Sequence, residues 1–153
     1  MRALLLSLLL AVPAAAPRAA EAGAAIFANR CQACHQPAGE GLSGIAPPLA
    51  GTLARRAETE EGRALLARTV VHGLSGPILS RGERFNGNMP AFGALLSDDE
   101  LAAVLNHVLA EWNGSRVQLT PALFAQARQQ SGKAAELRQL RERLLQQTGE
   151  AAP

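Results

Sequence analysis

The stretch Cys31-Gln32-Ala33-Cys34-His35 decides how the rest of the chain reads. Two thiols three residues apart, with a histidine directly after them, form the attachment pattern of a c-type haem. Each cysteine adds across one haem vinyl group, and a single helical turn supplies the short spacing. The imidazole that follows then faces the iron as proximal ligand. Other uses of a CxxC pair fit less well. A thioredoxin-like redox disulfide sits in a βαβ unit, and no strand pattern surrounds this one. A structural zinc site asks for four ligands, and the chain has two cysteines in all. The motif therefore predicts one covalent haem held by Cys31 and Cys34, with His35 on the iron.

On the N-terminal side, Arg2 and an apolar run from Ala3 to Val12, broken by Ser7, read as a secretory signal. Small residues continue to Ala22, and Ala20-Glu21-Ala22 is the expected cleavage site. The apolar run is far shorter than the roughly 20 residues of a membrane span, so no span is expected after cleavage. Without residues 1–22 the chain carries 13 basic and 12 acidic side chains, a balance of +1 that gives no sign of nucleic-acid binding. No phosphate loop, GxSxG elbow or second metal motif accompanies it. Aromatic residues are only 3% of the 153, with one Trp and no Tyr. A haem would supply the missing core volume, which predicts a poorly folded apo-protein.

Gly23 to Arg30 reads as a helix running into the motif, with Gly23 and Phe27 on one face. Gly39 and Gly41 then open a loop that continues through Ala46-Pro47-Pro48-Leu49-Ala50-Gly51. A rigid proline segment beside the haem can offer a carbonyl to the second nitrogen of His35, and Pro47 is the expected donor of that oxygen. Glu58 to Val71 is the next expected helix, with Gly73 as its stop and His72 as a charge at its C-terminal end. Gly73 to Gly93 shows no periodicity and reads as a long irregular loop. Late in it lies Met89, the sole methionine once the signal is removed, followed by Pro90. Its soft, neutral thioether suits the second axial position.

Ser97-Asp98-Asp99-Glu100 is a capping box opening a helix whose stripe is Leu101, Val104, Leu105, Val108, Leu109 and Trp112. His107, at the edge of that stripe, reads as a packing residue. Thr120-Pro121 signals a further short helix, with Thr120 as cap. The charged segment from Ala134 to Gln147 places Leu137, Leu140 and Leu144 on one face. At two heptads it is too short to be stable alone, so it is expected as a frayed, solvated tail; docking to a partner is the alternative.

Taken together, the CQACH motif, Gly23 and Phe27, APPLAG, NMPAF and SDDELAAVLNHVLAEW make the chain resemble the small mono-haem cytochromes c with His/Met ligation. The resemblance covers residues 23–114. It implies an all-α fold wrapped around one haem c, with the first and last core helices crossing near Gly23/Phe27 and Val104/His107. It implies that Cys31 and Cys34 hold the haem, that His35 and Met89 ligate iron, and that Pro47 buttresses His35. His107 departs from the aromatic residue, commonly Tyr, that the family often has at its position.

The expected organisation is a signal over 1–22, a cytochrome domain over 23–114 and a helical extension over 115–153. The expected function is periplasmic one-electron transfer rather than enzymatic turnover. Electrons would pass from a dehydrogenase or respiratory donor to an oxidase or reductase. With Met89 labile, the alternative is a haem-based sensor of small ligands or a peroxidase-like enzyme.

Overall fold

The polar and apolar periods of the sequence resolve into a helical frame whose tightest joint is a glycine. The computed structural model describes residues 16–148. Helix α1 (Ala16–Arg30) crosses α5 (Asp98–Asn113) at Gly23, where a Cβ would stand 2.8 Å from the carbonyl carbon of Ala103 and 2.9 Å from Cβ of His107. Only a residue without a side chain permits that approach. One turn on, Phe27 is buried and meets Trp112 edge to face at 4.6 Å between ring centres. His107 lies against the same pair, 5.3 Å from Trp112 and 6.1 Å from Phe27. Residues 1–15, most of the expected signal, lie outside the described residues, and 16–22 form the first turns of α1.

Helix α5 begins at a reciprocal capping box: Ser97 N–H donates to Glu100 Oε2 at 2.8 Å, and Glu100 N–H donates to Ser97 Oγ at 3.2 Å. Its stripe of Leu101, Val104, Leu105, Val108 and Leu109 is buried, and Gly114 closes it in the left-handed conformation.

The helix expected over 58–71 runs from Glu60 to His72, and a further short helix precedes it. Short α3 (Ala54–Glu58) ends at Thr59, whose extended backbone and hydroxyl, accepting from Gly62 N–H at 3.0 Å, cap α4 (Glu60–His72). The threonine offers the N-terminal amide an oxygen and breaks the helix in doing so. His72 is more than a charge at a helix end: its Nε2 donates to the carbonyl of Ala127 at 2.8 Å and joins α4 to α6 (Pro121–Gln129). Thr120 precedes α6 without a side-chain cap bond, and Pro121 begins the helix.

The loop expected over 73–93 holds two small antiparallel ladders. Strand β1 (Leu74–Ser75) pairs with β4 (Asn88–Met89), and β2 (Ile78–Ser80) pairs with β3 (Glu83–Phe85). Arg81 and Gly82, both at positive φ, make the tight turn between β2 and β3. Strands of two or three residues are too short to display alternation, which is why the sequence shows none.

The extension packs instead of fraying. Asn106 exchanges two hydrogen bonds with the backbone of Leu119 and pins the segment leading to α6, in which Phe124 is fully buried. Helix α7 (Ala134–Thr148) lays Leu137 and Leu144 on Leu65 of α4, with Leu74 and Leu140 beside them. An isolated amphipathic helix of this length is unstable, but α4 provides the apolar surface that it needs.

Candidate functional site

Helix α1 delivers the attachment motif. Cys31 N–H still bonds to the carbonyl of Phe27 at 2.9 Å, and the single turn α2 (Gln32–His35) follows. Within that turn the amides of Cys34 and His35 both reach the carbonyl of Cys31. The two sulfurs and the imidazole thus come from one helical turn and line one cleft. Cys31 is half-buried and Cys34 exposed, and neither is in a disulfide.

The loop after α2 folds back over the histidine. Gly41 N–H bonds to the carbonyl of His35, while Leu49 and Ala50 N–H both bond to that of Gly39. This closure brings the carbonyl of Pro47 to 3.1 Å from His35 Nδ1. A carbonyl can only accept, so Nδ1 carries the proton and Nε2 keeps its lone pair. Burial pushes the pKa of His35 down, with the Pro47 hydrogen bond opposing it. A neutral imidazole with one nitrogen fixed is the form that ligates a metal.

Met89 reaches the same cleft from the opposite side of the sequence. It ends β4, where pairing with Leu74 fixes its strand directly after α4. Gly73 makes this possible: a Cβ there would stand 2.5 Å from the carbonyl oxygen of Met89, and its φ of +76° is one that a glycine adopts freely. Gly73 was expected only as a helix stop, because its second role depends on a strand invisible in sequence.

The cleft is open to solvent at its mouth. Its walls are mostly apolar, among them Phe27, Leu66, Val70, Leu105 and Phe85. Two thiols, one oriented imidazole and one thioether converge on an apolar slot, and that donor set fits a haem attached through thioethers. The thiols do not resemble a catalytic pair. Burial, with Cys34 adding to it, pushes the Cys31 thiol up to about 11, whereas reactive CxxC pairs have a lowered thiol pKa. Among the described residues no cluster of three His, Cys, Asp or Glu side chains exists to hold a separate metal ion. Nor is any helix among them long and apolar enough to cross a membrane.

The cleft also receives side chains that sequence reasoning missed. Arg56 of α3, Ser80 of β2 and Arg141 of α7 are all buried along it. No local pattern marks them, because each depends on where its element docks.

The sequence profile of the family described as "Cytochrome c" matches residues 20–112. The chain is 44% identical over 94 residues to cytochrome c-552 of Thermus thermophilus, covering 61% of this chain and 70% of that protein. The same identity and length relate it to cytochrome c-552 from a named strain of that species, of which 62% is covered. It is 31% identical over 101 residues to the gluconate 2-dehydrogenase cytochrome c subunit of Pantoea cypripedii, covering 65% of this chain and 22% of that subunit.

Proposed function

This chain belongs to the cytochrome c family, and from that premise we propose that it is an exported carrier of single electrons with His/Met-ligated iron. Its fold is the small cytochrome c fold, its cofactor is covalently bound haem c, and its role is electron transfer. The haem supplies the chemistry, one-electron exchange between Fe(III) and Fe(II). In this reading Cys31 and Cys34 would tether the haem, His35 and Met89 would hold its iron, and Pro47 would orient the imidazole. The observation that carries it is the convergence of Cys31, Cys34, His35 and Met89 on one cleft, with His35 Nδ1 bonded to Pro47.

Each residue has a distinct task. The Pro47 carbonyl fixes the ring of His35 and raises its basicity as a ligand. The thioether of Met89 favours the reduced state and raises the potential. With both iron ligands supplied by the chain, no position would be open to a substrate, which suits a carrier rather than an enzyme. A leader over 1–22 would place the chain in the periplasm, with a cytochrome domain over 23–114 and an extension over 115–153.

Partners are redox proteins: a dehydrogenase or respiratory donor and an oxidase or reductase acceptor. The likeness to a dehydrogenase cytochrome subunit supports the first class. Contacts of this kind are small and transient.

The test is the intact mass of the full chain exported from a host with haem-attachment machinery. The reading expects a mature chain beginning near Gly23, heavier by one haem and without titratable thiols. An exported chain with two free thiols would contradict it.

A further inference from the structure

Met89 lies in a segment with little regular structure to hold it. From Leu74 to Met89 the chain is folded into ladders of two or three residues, which are marginal in isolation. Side chains of the extension hold the backbone on both sides of it. Before Met89, Arg138 of α7 donates to the carbonyl of Ser75, whose strand partner is Asn88, and Arg141 Nη1 donates to that of Leu79 at 2.7 Å. After Met89, Arg128 of α6 donates to the carbonyl of Gly93 and, at 2.8 Å, to that of Leu96, while its Nε meets Asp98 at 2.7 Å.

The sequence makes room for these contacts. A Cβ at Gly76 would stand 2.7 Å from Arg138 Nη1, and one at Gly93 would stand 3.3 Å from Arg128 Nη1. A glycine thus sits where each guanidinium reaches the backbone. The helices that carry the arginines are themselves fixed to α4, through His72 on the carbonyl of Ala127 and Arg68 Nη2 on that of Ser131 at 2.6 Å. From the other side, the amides of Phe92 and Gly93 bond to the carbonyls of Val70 and Val71 at 3.0 Å each. The segment is therefore gripped between α4 and the extension. Helices α6 and α7 both lie beyond the family match over 20–112.

A thioether is a neutral, soft donor and holds Fe(III) weakly. How often its sulfur leaves the iron then depends on how readily the backbone around it opens. Hydrogen bonds from a charged donor make that opening more costly. We propose that the extension is a clamp on the axial methionine: Arg128 and Arg138, positioning residues on either side of Met89, keep its sulfur on the iron and that position closed to small ligands. The inference rests on the reading of Met89 as an iron ligand.

The test is stopped-flow binding of imidazole to full-length Fe(III) holoprotein, at concentrations where the rate no longer rises and so reports the departure of Met89. Wild type is compared with Arg128→Ala, Arg138→Ala and Arg63→Ala, alanine being suited to all three helical positions. Arg63 also donates from a helix to backbone carbonyls, those of Ala57 and Glu58, but on α3 rather than in the Met89 segment. Arg128→Ala and Arg138→Ala are each expected to speed imidazole binding about tenfold, and Arg63→Ala to stay within about threefold of wild type. An unmoved rate in either clamp variant, or an equal rise in Arg63→Ala, overturns the proposal. If one clamp variant does not accumulate as holoprotein, the other decides alone.

The same samples report on the underlying reading. A wild-type protein without the far-red Met-to-Fe(III) band overturns the ligand assignment and this inference with it. A wild-type protein that has the band, with unmoved rates in the variants, overturns this inference alone.

Discussion

The backbone of Gly41 lies against the carbonyl group of Pro47, so that a Cβ at Gly41 would stand 2.7 Å from the carbonyl carbon whose oxygen meets His35. The loop is thus shaped around one hydrogen bond. Its φ of +80° is a second reason for glycine there.

Gly41→Ala is therefore expected to displace the Pro47 carbonyl while leaving His35 in place. Losing the acceptor makes the imidazole less basic and Fe(III) less stabilised. The reduction potential should rise, by up to about 60 mV or tenfold in a one-electron equilibrium. An unchanged potential in a folded Gly41→Ala holoprotein would show that this hydrogen bond does not tune the ligand.

Gly23 makes the equivalent argument for the frame. A methyl group there meets Ala103 backbone and Cβ of His107 below 3 Å. Overpacking of this kind costs about 1–3 kcal/mol, so Gly23→Ala should unfold at lower denaturant concentration with an unchanged slope. Stability equal to wild type would mean that α1 shifts without penalty.

The C-terminal helix is expected to contribute stability, not merely to decorate the surface. Leu137 has no exposed area and packs on Leu65 and Leu144. Leu137→Ala should cost about 2–5 kcal/mol in chemical unfolding of the holoprotein. A loss below about 1 kcal/mol would fit a helix that is only loosely attached.

Haem removal is expected to unfold much of the chain. The cleft is walled by apolar side chains from α1, α4, α5 and the ladders, which without haem face a large void or water. A Cys31→Ala, Cys34→Ala double variant, freed of haem, should lose helical circular dichroism and gain fast amide exchange in α4 and α5. Wild-type helicity and protection in that variant would place the stabilising core elsewhere.

What the sequence could and could not reveal divides along range. The CQACH turn, the Ser97–Glu100 capping box, the α5 stripe and the rigidity of Pro47-Pro48 depend on neighbours within a turn or two, so they are readable from the chain alone. The break at Thr59 was missed because glutamates on both sides suit a helix and only the cap oxygen ends it. The two ladders were missed because strands this short carry no period. Arg141 read as one more charge on a solvated tail, because its burial depends on α4 and β2, which lie more than 60 residues earlier. Gly73 was legible as a stop, but its contact with Met89 required β1 and β4 to be paired.

The most direct measurement is the absorption spectrum of full-length holoprotein and its Met89→Ala variant, oxidised and reduced, with and without carbon monoxide. The account predicts a low-spin c-type spectrum in both states for wild type, a far-red Met-to-Fe(III) band, and no response to carbon monoxide. In Met89→Ala that band should vanish, the iron should become high-spin, and the reduced form should bind carbon monoxide. A Met89→Ala spectrum that keeps the far-red band and ignores carbon monoxide would contradict the axial assignment on which the account rests.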